Sequence, residues 1–244
     1  MTSKTIQKLD LPCYMFDCRE CLRPSSFMDI AQELAAAGSA DGGFSDQDIA
    51  KHGLVWILAR MKVVFNKVPH RCDSVTAETW HRGLSGPYFI RDYRLLDTDG
   101  GVAVSSTSTW VIMDTASRRA VRGDHITDII PSSPQCDEEA AGDPADKIIF
   151  PKNAAGTIVA EHKVVYSDLD YNGHANNAKY TLWALDVLPP ELTTNNTPKE
   201  ITVNFNNEAR LGEVVTLLHC QHANVHIVEG RSNGLQVFIE KIIY

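Results

Sequence analysis

The stretch Ser167-Asp168-Leu169-Asp170-Tyr171-Asn172-Gly173-His174-Ala175-Asn176-Asn177-Ala178-Lys179-Tyr180 sets a carboxylate, a carboxamide and an imidazole at alternate positions, Asp170, Asn172 and His174. Downstream, Ala178, Leu182 and Leu185 recur at helical spacing; upstream, Ile158 to Tyr166 reads as a strand. The polar residues therefore occupy a corner where strand gives way to helix. Backbone N–H groups at a helix start are unpaired and favour negative charge. Those around Gly173 to Ala175 could hold a developing oxyanion, beside groups that move protons or position a water. The same residue types also serve as caps and turn formers, so the corner alone does not separate chemistry from architecture.

Working outward, the first half predicts one long helix followed by antiparallel strands. After a short strand over Tyr14 to Asp17, the near capping box of Ser26 and Asp29 opens a helix. Its buried stripe is Phe27, Ile30, Ala31, Leu34 and Ala35, and it ends near Gly38. A shorter helix runs from Ser45 to about Gly53. Strands follow over Leu54 to Phe65, Ser74 to Trp80, Tyr88 to Leu96 and Val102 to Met113, the last two flanking the hairpin signal Asp97-Thr98-Asp99-Gly100-Gly101. Trp80 and Trp110 read as core.

Pro131 to Asp146, rich in Pro, Ser, Ala and acid, reads as a linker. Beyond it the same order returns: strand, polar corner, a helix ended by Pro189-Pro190, and strands over Lys199 to Asn206, Glu213 to Cys220, Val225 to Val228 and Leu235 to Ile243. The two halves look like a diverged duplication. Laid on each other, Arg71 matches Arg210 and Pro69 falls opposite Glu208. The expected fold is α+β, a double hotdog in which each copy is a long helix wrapped by an antiparallel β-sheet. The copies span 1–130 and 149–244, joined by a linker over 131–148.

The residues resemble the acyl-acyl-carrier-protein thioesterases of bacteria and plant plastids. The likeness rests on Asp168-Leu169-Asp170-x-Asn172-x-His174-x-Asn176-Asn177-x-x-Tyr180, with support from Gly53 to Met61, Val75 to Trp80, Arg91-Asp92 and Thr109 to Asp114. The resemblance implies a tandem hotdog enzyme that hydrolyses fatty acyl thioesters of acyl carrier protein, with Asp170, Asn172, His174 and Glu208 as catalytic groups. Many members carry Cys directly after that Glu. Here Ala209 stands there, which pushes the chemistry toward direct attack by water. The absent transit peptide favours a bacterial-type, cytoplasmic enzyme.

Thioester hydrolysis needs an activated water, a held oxyanion and a tolerated thiolate (thiol pKa near ~8.5). Glu208 is the expected base, Asn172 and His174 orient water and thioester, and Asp170 sets the imidazole. The sequence does not decide between Glu208 and His174 as the group that activates water. The acyl chain is expected between helix and sheet of the first copy, against Phe27, Ile30, Leu34, Trp56 and Leu58, whose sizes would set its length. A hotdog acting on acyl-coenzyme A is one alternative, and a non-catalytic hotdog that binds acyl thioesters another. The Asp-x-Asn-Pro-x-x-His spacing of a hotdog hydratase is absent.

Composition bounds the partners. The 244 residues, 43% hydrophobic and 22% charged, fit a globular protein with a real core, and no apolar run is long enough to span a bilayer. A formal charge of −8 argues against general nucleic-acid binding. It leaves room for local basic patches that dock an acidic carrier, such as Arg60, Lys62, Lys67, His70 and Arg71, or Arg118, Arg119 and Arg122. Cys18-Arg19-Glu20-Cys21 lacks a second pair, and His219, Cys220, His222 and His226 straddle a strand–turn–strand, so neither predicts a metal site. No cofactor is implied. The copies can pair with each other within a monomer, and a homodimer is open.

Overall fold

The computed structural model describes residues 4–150 and 157–244. Residues 151–156, assigned above to the start of the second copy, lie outside the described residues. The first half runs β1 (Thr5–Asp10), α1 (Pro24–Asp41), α2 (Asp46–Ala50), β2 (Leu54–Phe65), β3 (Ser74–Ser85), β4 (Tyr88–Leu96), β5 (Val102–Asp114) and β6 (Arg119–Val121). The second runs β7 (Thr157–Lys163), α3 (Asn177–Asp186), α4 (Pro190–Asn195), β8 (Glu200–Phe205), β9 (Val214–His222), β10 (Val225–Ser232) and β11 (Leu235–Ile243).

One antiparallel sheet joins them in the order β1-β3-β4-β5-β2-β8-β11-β10-β9-β7, with β6 on β5. Read from the middle outward, each half gives the same sequence of roles, so the sheet has the internal symmetry of a double hotdog. The seam is the pairing of β2 with β8, from Arg60↔Asn204 to Val64↔Glu200. One hydrophobic cluster crosses that seam, with Leu34 and Tyr93 from the first half and Trp183 and Phe238 from the second.

Several local expectations change. Cys13–Met15 is a 3-10 turn rather than the start of a strand. The first helix begins at Pro24, whose fixed φ and missing N–H suit a first helical position, so Ser25 and Ser26 become buried helix residues and form no cap. It continues through Gly38 to Asp41. Ser45 and Asp48 do make a reciprocal capping box at α2. α3 buries Tyr180, Thr181 and Trp183, whereas Leu182 and Leu185 are only half-buried; the aromatic side chains take the core face. Pro190 starts α4 rather than merely ending α3.

The connecting segment is no free linker. Thr79, His81 and Arg91 share the helix-facing side of the sheet, so their neighbours Trp80 and Asp92 face the other way. There the segment is held flat: Trp80 Nε1 donates to the Glu138 carbonyl (2.9 Å) and the Ala140 N–H to Asp92 Oδ2 (2.7 Å). Asn204 grips it twice, donating to the Asp146 carbonyl (3.1 Å) and accepting from the Ile148 N–H (2.7 Å). Backbone hydrogen bonding, which the composition did not reveal, fixes this stretch.

On the helix side, a Cβ at Gly230 would lie 2.2 Å from Cε1 of Phe238, a fully buried ring stacked on Tyr180. Gly230→Ala is expected to destabilise by about 1–3 kcal/mol through overpacking, read as a lowered urea midpoint at an unchanged m-value. Among the described residues, no helix is long and apolar enough to cross a membrane.

Candidate active site at the second-copy corner

The corner is a closed turn. Asp170 donates its N–H to the His174 carbonyl (2.8 Å), and the Gly173 N–H returns to the Asp170 carbonyl (3.1 Å). Asp170 Oδ1 accepts the N–H groups of Asn172 (2.8 Å) and His174 (3.3 Å). Gly173 sits at φ +79°, which glycine adopts without a Cβ penalty. The cap of α3 is neither Asp170 nor Asn172 but Asn176, whose Oδ1 accepts from the Ala178 N–H (2.8 Å) and from Gln32 Nε2 (3.1 Å). The motif residues are therefore not needed as caps.

The first copy builds the same turn. Asp17 Oδ1 accepts from the Arg19 and Cys21 N–H groups (2.8 and 3.0 Å), and the Asp17 N–H donates to the Cys21 carbonyl (2.8 Å). The bridge Cys21↔His70 repeats His174↔Arg210. His70, not Arg71, is thus the counterpart of Arg210, and Val68, not Pro69, stands opposite Glu208. The sequence echo had slipped by one residue, because no gap-free motif anchors it. The turn-forming carboxylate belongs to both copies, whereas Asn172, His174 and Glu208 are replaced in the first by Arg19, Cys21 and Val68.

A second set of bonds brings Glu208 to the turn. The Ala175 N–H donates to the Ala209 carbonyl (2.8 Å), and the Ala209 N–H donates to the Tyr180 hydroxyl (3.1 Å). Burial pushes that phenol up to about 12, keeping it protonated. Ala209 is fully buried in the core, so its side chain is turned away from solvent. Glu208, one residue earlier, projects outward: its Oε2 lies 3.1 Å from His174 Nε2, 3.3 Å from an Arg210 Nη and 3.9 Å from an Arg118 Nη. Both partners keep water contact, at 27% and 37% side-chain exposure for His174 and Glu208.

One expectation fails here. The N–H groups of Gly173 and Ala175, expected to hold an oxyanion, are engaged with the carbonyls of Asp170 and Ala209. Closing the turn and clamping it to Ala209 consumes them.

A cavity of about 500 Å³ opens beside the corner, and Asp170, Tyr171 and Asn172 form part of its wall. Ile30, Leu34, Trp56 and Leu58 line it. Phe27 does not: it is fully buried, edge-on to Phe65 at 6.3 Å between ring centroids. Trp110, read as core, is a wall residue, its indole N–H anchored on Ser108 Oγ at 2.7 Å. His174 and Glu208 are not part of that wall; the turn shared by Asp170, Asn172 and His174 connects them to it.

Three residues stand at the site in roles that the sequence did not suggest. Tyr171 reaches across to α2, its hydroxyl donating to Asp46 Oδ2 (3.3 Å). Arg118 comes from the β5–β6 turn of the other half, and Arg91 reaches the cavity from β4. Each meets the site only through tertiary folding. Among the described residues, no group of three or more His, Cys, Asp or Glu is placed to hold a metal.

The family model for the acyl-ACP thioesterase N-terminal domain matches residues 2–130, and that for the acyl-ACP thioesterase C-terminal domain matches 152–237. An oleoyl-acyl carrier protein thioesterase of Arabidopsis thaliana is 30% identical over 204 residues, covering 80% of this chain and 55% of that protein. A palmitoyl-acyl carrier protein thioesterase of Gossypium hirsutum is 26% identical, covering 87% of this chain and 54% of its own length. The chain spans about half the length of the curated relatives it matches. Among solved structures, an acyl-ACP thioesterase from Bacteroides thetaiotaomicron superposes with a TM-score of 0.86 at 22% identity, covering 98% of this chain and 97% of that one. A 12:0-ACP thioesterase from Umbellularia californica gives 0.86 at 20%, covering 98% and 96%. At these identities the structural likeness establishes the fold.

Proposed function

We propose that this chain, which belongs to the acyl-ACP thioesterase family, hydrolyses fatty acyl thioesters of acyl carrier protein and releases free fatty acid during fatty acid synthesis. The observation that carries the reading is the His174–Glu208 contact of 3.1 Å at the turn that sets Asp170 and Asn172 in the wall of a cavity sized for an acyl chain. The acyl group lies in the first half, and the thioester carbon meets water at the second-copy corner.

Glu208 removes a proton from that water as it attacks the carbonyl carbon. His174 donates Nε2–H to Glu208 and fixes where its carboxylate points. The Asn172 carboxamide, at the cavity wall, supplies N–H donors to the oxyanion in place of the engaged backbone groups. Collapse of the tetrahedral intermediate breaks the C–S bond. The leaving thiolate takes back the proton, giving a carboxylic acid and the carrier thiol. Asp170 shapes the turn that presents Asn172 and His174. Arg118 and Arg210 set positive charge beside the site, which favours approach of an acidic carrier.

Matched acyl groups on carrier protein and on coenzyme A, assayed side by side, test this reading. The expected result is turnover of both with a kcat/KM at least about tenfold higher on the carrier protein. Equal values would make this a coenzyme A thioesterase; tight binding without turnover would make it an acyl-thioester binder.

A further inference from the structure

Arg91 is 5% exposed, yet no carboxylate stands within ion-pair distance of it among the described residues. Its guanidinium makes one hydrogen bond, from an Nη to Thr79 Oγ1 (3.3 Å), and lies over the Phe44 ring at 6.0 Å. Arginine is almost never buried without a partner, because most of its N–H donors then lack acceptors. Space has been left for it. A Cβ on Gly38 of α1 would come within 2.3 Å of that Nη, so the guanidinium keeps this position under the helix because residue 38 has no side chain. Arg91 is a wall residue of the cavity that also holds Leu34, Trp56 and Phe89.

His81 faces Arg91 directly across the β3–β4 ladder and lines the same cavity. Cross-strand neighbours of this kind have Cβ atoms about 5 Å apart on one face. The His81 ring nitrogen Nε2 lies 2.8 Å from the Pro131 carbonyl, so Nε2 carries the hydrogen and Nδ1 keeps a free lone pair. Burial pulls this imidazole down to about 4, so it is neutral at pH 7. Beside the apolar side chains of Leu34, Trp56 and Phe89, the cavity wall thus sets a cationic donor next to a neutral acceptor.

We infer that Arg91 and His81 form a polar subsite in the acyl cavity that takes an oxygen function on the acyl chain, as in a chain ending in a hydroxyl, in preference to the bare methyl end of an equally long saturated chain. The inference rests on the acyl-thioesterase reading and names the substrate class that its cavity favours. A hydroxyl accepts from the guanidinium and donates to His81 Nδ1. A methyl end in the same place strips water from the cation and returns nothing.

The test is displacement of a fluorescent fatty-acid analogue by pairs of equal-length saturated and ω-hydroxy fatty acids, for the wild type, Arg91→Met and Arg91→Lys. The same pairs are then assayed as carrier-protein thioesters. In the wild type, at the chain length that reaches Arg91, the hydroxylated member is expected to bind at least about tenfold tighter than the saturated one. Arg91→Met should reverse that order and Arg91→Lys should keep it; a merely structural arginine would alter both members of a pair alike. Should Arg91→Met fail to fold, Gly38→Ala, which pushes the guanidinium into the cavity, is expected to shift the preferred hydroxylated chain to a shorter length. Equal affinities within every wild-type pair, or no displacement by any of them, overturns the inference. Displacement that shows the preference in a chain without turnover overturns the hydrolase reading alone.

Discussion

Glu208→Gln is expected to lower kcat on acyl-carrier-protein thioesters by about 10²–10⁴-fold, the range that a positioned general base contributes. The substitution keeps the length of the side chain and an oxygen that can accept from His174 Nε2, 3.1 Å away. What disappears is the capacity to take a proton from water. Folding should be little affected, because Glu208 is partly exposed and its contacts with Arg118 and Arg210 are surface ion pairs, worth at most ~1 kcal/mol. A variant with an unchanged melting temperature and a collapsed kcat supports Glu208 as the base. Turnover within about threefold of wild type would leave His174 as the group that activates water. Asp170→Asn preserves Oδ1 as acceptor for two N–H groups, so a carboxamide there tests the charge of Asp170 apart from its turn-forming role.

The second large effect lies away from the site. Glu240 on β11 is fully buried; its Oε2 accepts from the Thr181 hydroxyl (3.0 Å) and its Oε1 has no partner. Burial, eased by the Thr181 hydrogen bond, pushes this carboxyl from 4.5 up to about 8. The folded protein therefore holds the proton at pH 7, whereas the unfolded chain releases it near pH 4.5. Stability from this group is complete below about pH 4.5, declines as pH rises and is lost by about pH 8, a difference on the order of 4–5 kcal/mol. Glu240→Gln removes the ionisable group. Urea unfolding should show the wild type losing several kcal/mol relative to the variant between pH 5 and 8, the contribution of His81 being common to both. Curves that stay parallel across that window would refute the assignment.

Much of this architecture is legible in the sequence because its signals are local. The apolar run of β2, the Asp97 to Gly101 hairpin and the Asn233-Gly234 turn each declare themselves within a dozen residues, and the last shows the positive φ at both residues that a tight hairpin demands. The strand β1 was missed: Thr5–Asp10 is mostly polar and pairs only along the β3 edge. The docked connector was missed because its partners, Trp80, Asp92 and Asn204, lie far along the chain. At the corner, Asp170, Asn172 and His174 lie within five residues of one another and are readable. Glu208 needed a family resemblance, since 34 residues separate it from His174 and a hydrogen bond through buried Ala209 closes that gap. Arg91-Asp92 counted toward the family resemblance, but nothing in Tyr88 to Leu96 distinguishes a surface arginine from one beneath a helix.

The β2–β8 seam also bears on how the two corners came to differ. In a symmetric pair of separate chains, each substitution appears at both equivalent positions, and a change that helps one corner is imposed on the other. Covalent linkage across the seam lifts that obligation. One corner has the turn with Arg19, Cys21 and Val68 where its twin has Asn172, His174 and Glu208, and the cavity lies against its own helix. The other is the corner to which the chemistry is proposed to belong, and Trp183 and Tyr180 are buried beside it. Within one chain, each corner is free to vary without a matching change in its twin.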